Sequence, residues 1–505
     1  MQSAENYCAN FFLQIDLVDG APRLIGERSG IRGHRLANAA HAEPEGVFVE
    51  WSWDGAQLKV RNDRYGFFPV YYFVNAQKIV VSDSIDRVLG AGVSREFDDA
   101  AIAAFLRLGH YLGDDTPFRS VKMLGPGGTI DWCASEFAVA GAPRILAQQS
   151  SSRVDAMAVY RDLFSAAIAR RAAPQRQLIV PLSGGRDSRH IVLELCRQEI
   201  VPDACVTARY APGVIFKNEV EVAKRVCAAL GVRHETVAFR SSRMAAEREK
   251  NRLTNYATLE HGWFMPVADR IAAGGAVTYD GMAGDVLSAG HFLTVDRHRW
   301  FREGNFRALF LDMQVALIES SIAGLLTKDA ARRFNLEIAI ERFARECRLH
   351  VSAPNPIGSF SIFNRTRRVA CLCAYGLQPT IKYSFSPYLD NAVFDFLSSL
   401  PVEMFFDFSF HTDMIRFAFP KTADIPFAVA KPGGNYFSGY RTYARDVLGA
   451  TIKAPQSQLL QKTFTIPRLL RCLVDPSYSP SAEWLGDISV YLLELERASA
   501  GRSAV

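Results

Sequence analysis

The apolar run Leu178-Ile179-Val180-Pro181-Leu182 passes without interruption into Ser183-Gly184-Gly185-Arg186-Asp187-Ser188, and a helical pattern follows from Ser188 to Gln198. A short buried strand that turns on glycines straight into a helix is the unit from which parallel sheets are built, because the chain must cross back over the sheet before the next strand can pair. The pattern recurs, with a strand expected around Ala204 to Ala208 and a helix from Glu219 to Leu230. The alternation predicts an α/β region with a doubly wound parallel sheet, and such sheets take ligands outside the carboxyl ends of their strands.

The loop after the first of these strands therefore sits where a ligand is expected. Its glycines allow close approach of the backbone to an anion, while successive amides and the helix N-terminus direct partial positive charge at it. Asp187 is placed to ligate a magnesium ion accompanying a phosphate. The loop lacks the Gly-Lys-Ser/Thr ending of a P-loop and the third glycine of a dinucleotide fingerprint.

The first 147 residues have a different character. Phe11 to Ile15, Val47 to Trp51, Leu58 to Val60 and Lys78 to Val81 are short β-branched or aromatic runs separated by turn residues, which predicts stacked antiparallel sheets with one helix from about Asp99 to Leu108. The polar stretch Gln148-Gln149-Ser150-Ser151-Ser152 reads as a linker, giving domains over 1–147 and 153–505. Beyond Arg299 helical periodicity dominates.

At 505 residues, 49% hydrophobic and 22% charged, the chain is too long for one core and too apolar for disorder. The net charge of +5 arises from 58 basic and 53 acidic residues interspersed along the chain, so nucleic acid is not an expected partner. The polar start Met1-Gln2-Ser3-Ala4-Glu5 and the lack of any long apolar window predict a cytoplasmic protein without a membrane partner. Nine irregularly spaced cysteines suit buried thiols better than a metal or redox motif.

The Ser183 to Ser188 loop resembles the pyrophosphate loop of the N-type ATP pyrophosphatases. Its neighbours resemble the asparagine synthetase group, which includes β-lactam synthetases and lasso peptide cyclases. Asn218 to Ala223, followed by Leu230-Gly231-Val232-Arg233-His234, is similar to the helix after that family's second strand. Tyr279-Asp280-Gly281-Met282-Ala283-Gly284-Asp285 is similar to its second metal-side loop, Tyr383 to Asp390 to its Arg-x-Pro-Phe-Leu-Asp segment, and Met414-Ile415-Arg416 with Pro426 and Lys431 to its late Leu-Arg and Lys region. Val60 to Tyr72, then Asp115-Thr116-Pro117-Phe118 and Gly125-Pro126-Gly127, resemble stretches of the family's glutamine-hydrolysing domain.

The resemblance implies an N-terminal Ntn-like β-sandwich, a degenerate glutamine amidotransferase, followed by an ATP pyrophosphatase domain with extra helices. It implies ATP and Mg²⁺ as cofactors and a small-molecule or peptide carboxylate as substrate, and it leaves a homo-oligomer open. Asp187 and Asp285 would hold Mg²⁺. Leu182, Ser183, Gly184, Gly185, Asp187, Ser188, Thr207, Asp280 and Gly281 would bind ATP, with Lys431 as the catalytic cation.

Two departures matter. Glutamine-dependent relatives carry Cys at position 2, where its own α-amine activates the thiolate; here Gln2 stands there, Cys8 is the nearest thiol, and a glutaminase is not expected. Met282 occupies the place of a functional Glu or Tyr and cannot exchange a proton. Arg186 and Arg189 replace apolar and small residues of the loop and either are solvated or reach an anionic substrate. The reaction expected is adenylation of a carboxylate followed by transfer to an amine, within one molecule or between two. A glutamine-hydrolysing synthetase, a pyrophosphatase acting on another oxygen, and a non-catalytic nucleotide-binding protein are the rivals.

Overall fold

The computed structural model describes residues 11–36, 44–134, 136–171, 177–209, 215–240, 242–273, 277–314, 317–378, 383–432 and 437–501. Gln2 and Cys8, on which the glutaminase expectation turns, lie outside the described residues. Ten strands form the N-terminal region: β1 (Phe12–Val18), β2 (Ala21–Gly26), β3 (Ser29–Leu36), β4 (Glu45–Trp53), β5 (Gln57–Asn62), β6 (Tyr71–Val74), β7 (Lys78–Ser82), β8 (Lys122–Met123), β9 (Thr129–Cys133) and β10 (Phe137–Ala140). They make two five-stranded antiparallel sheets, in the orders β2-β1-β7-β6-β8 and β10-β9-β5-β4-β3.

Alternation drives this packing. In β5, Leu58, Val60 and Asn62 point inward while Gln57, Lys59 and Arg61 face out, as a period of two requires. Between the sheets the Phe11 ring stacks on Trp51 with centroids 4.2 Å apart. The expected helix forms over Asp99–Leu108, capped by the Asp98 carboxylate on the Ala101 amide and closed by Gly109 at φ +75°.

The Arg61-Asn62-Asp63 stretch, read above as part of a glutamine-hydrolysing pattern, is used here as a turn. Asp63 accepts hydrogen bonds from the amides of Tyr65, Phe67 and Phe68 at 2.9–3.1 Å. Asn62 bridges to the next turn, donating to the Gly125 carbonyl at 2.9 Å and accepting from the Gly128 amide at 2.6 Å. Burial holds the Asp63 carboxyl up at about 6, against the lowering pull of those amides.

After the helix Arg153–Arg170, the chain forms β11 (Ile179–Pro181), β12 (Ala204–Ala208), β13 (Ile215–Lys217), β14 (His234–Val237), β15 (Thr278–Tyr279), β16 (Ser384–Phe385) and β17 (Ala430–Pro432). Strands β11, β12 and β14 pair in parallel, as do β15 and β16, and a parallel bridge from Leu178 to Val277 joins the two pieces. The short antiparallel pair β13 and β17 stands apart. The rest is largely helical, and among the described residues no helix is long and apolar enough to cross a membrane. Six of the eight described cysteines are buried.

The two regions share one continuous apolar core, and their junction is closed by arginines. Residues Ile362–Ala370 form a π-helix, an uncommon geometry. From it Arg367 donates to the carbonyls of Gly66, Gly113 and Leu124 at 3.0, 2.9 and 2.5 Å, and Arg368 to those of Gly113 and Asp115 at 2.7 and 2.6 Å. Burial and the neighbouring Arg368 bring the Arg367 guanidinium down to about 10, still charged at neutral pH. Removing it would orphan the buried Gly66 and Leu124 carbonyls, while that of Gly113 keeps Arg368. We therefore expect Arg367→Met to cost about 3–5 kcal/mol, the range for breaking a buried charged network, read as an earlier urea midpoint by tryptophan fluorescence.

Candidate active site

The Ser183 to Ser188 loop is shaped by its own serines. The Ser188 hydroxyl accepts from the Ser183 amide at 3.0 Å, and the Ser183 hydroxyl accepts from the Gly185 amide at 3.1 Å. Asp187 is the first residue of the helix Asp187–Arg197, so its carboxylate stands at the positive end of that helix. The Gly281-to-Asp285 loop lies directly against it. A Cβ on Gly281 would fall 2.8 Å from Asp187 Cβ, and one on Gly284 would fall 2.7 Å from Asp187 Cγ and 2.8 Å from Tyr388 Cζ. Only glycine permits this approach. Ala283 between them holds φ +72°, a conformation an L side chain adopts at a cost.

The two aspartates expected to share a metal are brought together. Asp187 Oδ2 accepts from the Asp285 amide at 3.0 Å, while Asp187 Oδ1 is buried without a hydrogen-bond partner, 3.4 Å from His411 Nδ1. Burial first, and the Asp285 charge second, push the Asp187 carboxyl well above the usual carboxylate range. An unpaired buried carboxylate next to a second one is an arrangement that a divalent cation relieves. Among the described residues no group of three or more His, Cys, Asp or Glu could hold a metal alone. Two carboxylates completed by phosphate oxygens are the donor set magnesium ordinarily takes, so the residues present fit it. Asp280 is held by a different bond, accepting from the Met282 amide at 2.8 Å, and burial lifts its carboxyl to about 6.

A cavity of about 260 Å³ opens in front of these groups. Leu182, Ser183, Asp187, Ser188, Thr207, Asp280, Gly281 and Asp285 line it, together with Met282. The Thr207 hydroxyl is occupied within the fold, donating to the Leu182 carbonyl at 2.6 Å and lying 2.9 Å from His234 Nε2. Gly184 and Gly185 are in the loop but not in the lining. A Cβ on Gly184 would sit 2.4 Å from the Ala428 Cβ, so its lack of a side chain serves chain packing and not ligand approach.

The segment after Ile425 crosses the loop, the Ala428 amide donating to the Gly184 carbonyl at 2.8 Å. Arg189 explains its path. Expected as a solvated or substrate-facing cation, it is instead buried, with its guanidinium 4.1 Å from the centre of the Phe427 ring and donating to the Ile425 and Pro426 carbonyls at 2.8 and 2.7 Å. Arg186 is likewise engaged, donating to Thr412 Oγ1 at 2.6 Å. Lys431 pairs through its backbone with Phe216 in the β13–β17 ladder; its side chain lies outside the described residues.

Beneath Asp187 is a cluster that sequence reasoning missed. Tyr388 donates to the Asp187 carbonyl at 3.2 Å and lies 3.2 Å from His190 Nδ1, and His411 Nε2 is 3.4 Å from both Tyr388 Oη and His190 Nδ1. Burial lowers both histidines, His411 to about 3, so this floor is neutral. It offers Asp187 no competing cation. His261, Trp263, Arg365 and Thr366, also unassigned above, complete the far lining. We expect Gly284→Ala to leave the protein folded but lower nucleotide turnover at least tenfold, since a shift approaching 1 Å in Asp187 suffices for such a loss; unchanged turnover would show that the loop tolerates a Cβ there.

This is an α/β chain whose cavity, at the end of a parallel strand, joins a serine-glycine loop to paired aspartates. An asparagine synthase family model matches residues 159–361. The match supports an asparagine synthetase-like chain and, in general terms, an ATP-dependent carbon–nitrogen ligase that forms amide bonds. No curated protein matches the chain.

Proposed function

We propose that the chain adenylates a substrate carboxylate with Mg-ATP and passes the acyl group to an amine. The observation that carries this reading is the meeting of Asp187 and Asp285 beside a loop whose Ser183 and Ser188 line the same cavity. Leu182, Thr207, Asp280 and Gly281 would border the adenosine, and Ser183, Gly184, Gly185, Asp187 and Ser188 the phosphates. Magnesium held by Asp187 and Asp285 would neutralise the departing pyrophosphate. The substrate oxygen attacks the α-phosphorus, the bond to the β-phosphate breaks, and the amine nitrogen then displaces AMP from the acyl carbon while losing a proton.

Met282 cannot take that proton, so the amine arrives uncharged or yields it to another acceptor. The N-terminal sandwich, in this reading, is a degenerate amidotransferase domain of the Ntn type, with domains over 1–147 and 153–505 and a cytoplasmic location. The substrate is a small molecule or a peptide rather than nucleic acid.

Incubation with Mg-ATP and candidate carboxylates, followed by mass spectrometry, tests the proposal: AMP, pyrophosphate and a product lighter by one water are expected. Calorimetry in which Mg-ATP gives no heat of binding would favour a non-catalytic homologue. We further expect no glutamate release from glutamine, and steady release abolished by Cys8→Ala would overturn that part.

A further inference from the structure

The helix Arg243–Leu253 has two unlike faces. Glu247, Lys250 and Asn251 are buried in the fold, whereas Met244, Ala245, Arg248 and Arg252 line a cleft of about 860 Å³. The C-terminal helix Ala482–Ser499 supplies Leu493, Glu494, Glu496 and Arg497 to the same cleft. Sites for small organic ligands have volumes of this order. The cleft shares no lining residue with the cavity that holds Asp187 and Asp285.

Three arginines and two glutamates line it, and the glutamates do not satisfy the arginines. Arg248 and Arg252 stand one helical turn apart, a spacing at which like charges repel. Glu494, 3% exposed, accepts from Arg497 at 2.7 Å and lies 3.2 Å from Arg248 Nε. That second contact is out of line for a hydrogen bond, and the Arg248 Nε–H is buried without an acceptor. Glu496 is committed to the fold: one oxygen accepts from the Ser457 hydroxyl at 2.7 Å and the other from the Leu459 amide at 2.6 Å. Arg252 is exposed, and among the described residues its guanidinium makes no hydrogen bond or ion pair. Asp86 attracts it from beyond ion-pair distance and is shared with Arg95.

An arginine on an open helix face is satisfied by water. This one shares a cleft with Phe97, Met244 and Leu493, an apolar lining that a hydrated headgroup alone leaves uncovered. We infer that the cleft binds a small organic anion, its carboxylate or phosphate taken by Arg252 and Arg248 and its hydrocarbon body laid against Phe97, Met244 and Leu493. The anion relieves the repulsion between the two arginines, accepts the buried Arg248 Nε–H, and meets the paired N–H donors of a guanidinium. The apolar body contributes what a partly solvated ion pair does not. No bond is made or broken, and the inference stands apart from the chemistry assigned to the nucleotide cavity.

The test is calorimetry on the full chain in excess magnesium and α,β-methylene-ATP, so that a probe reports the cleft and not the nucleotide cavity. Octanoate and octyl phosphate are the anionic probes, octanamide the neutral one, and acetate the headgroup alone. At least one of the two long anions is expected to bind, with octanamide and acetate weaker by about tenfold or more, since a charged hydrogen bond and a buried alkyl chain are each worth that much. Tighter octanoate assigns a carboxylate headgroup, and tighter octyl phosphate a phosphate. Arg252→Gln, at an exposed position, should weaken binding by about tenfold and Arg252→Lys by less, while Arg299→Gln, which removes an exposed arginine outside the cleft, should leave it unchanged. Failure of both long anions to bind, octanamide binding as tightly as octanoate, or equal binding by the Arg252→Gln and Arg299→Gln variants overturns the inference.

Discussion

Asp187→Asn is expected to leave the fold intact and to lower pyrophosphate release by about three orders of magnitude or more, because the lost charge contact on a metal-bound phosphate is worth several kcal/mol. The substitution is nearly isosteric. The asparagine oxygen still accepts from the Asp285 amide, and the new amide nitrogen takes the position of Oδ1, facing His411 Nδ1 across 3.4 Å. Neutral His411 can accept at that nitrogen in one of its tautomers, so the buried donor finds a partner. The variant also removes a carboxylate that burial and Asp285 make costly to ionise, so its thermal stability without nucleotide should equal or exceed that of the parent. The check is pyrophosphate release alongside a melting curve. Near-normal ATP consumption by a well-folded Asp187→Asn protein would sink the metal assignment.

The second large effect concerns Lys431. Its strand crosses beside the phosphate loop because three contacts hold the approach segment: the Ala428 amide on the Gly184 carbonyl, the Val429 amide on Asn218 Oδ1 at 3.0 Å, and the buried Arg189 on two carbonyls. Ladder pairing with Phe216 then fixes the backbone at Lys431. A lysine delivered there would act after adenylation, steadying charge on the acyl-adenylate as the amine attacks. Such a contact in a closed site is worth several kcal/mol, whereas a solvated surface lysine contributes almost nothing. Lys431→Met should bind Mg-ATP like the parent while product formation falls by about two orders of magnitude. Parental turnover at saturating substrate would make Lys431 a bystander and direct attention to Lys421 or Arg416.

The parts of this site that were legible in the sequence are those written locally. The helices Asp99–Leu108 and Glu219–Leu230 and the strand Ala204–Ala208 form at the residues where periodicity places them, and the Ser183 to Ser188 loop carries its own turn chemistry. What was hidden depends on residues far apart in the chain. Tyr388 and His411 lie more than 200 positions beyond Asp187, as the separation of 201 positions from Asp187 to Tyr388 illustrates, and no spacing rule joins them. Arg189 was misread because its partners are main-chain carbonyls and a phenyl ring brought over by tertiary packing. Strands β15, β16 and β17, of two or three residues each, are too short to show a period, and their pairing is decided by neighbours. The π-helix has no composition of its own, and with it Arg365 escaped notice.

The grip of Arg367 and Arg368 bears on how this architecture can change over generations. Their five contacts are all made to backbone oxygens of residues 66, 113, 115 and 124. A clasp on the main chain asks only that the loops keep their course, which Gly66 at φ +65° and Gly113 at φ +52° help to enforce, and asks little of the side chains around them. A clasp of this kind constrains the path of the sandwich loops more than the identity of their side chains, so side-chain changes in those loops should disturb docking less than changes that move their backbone.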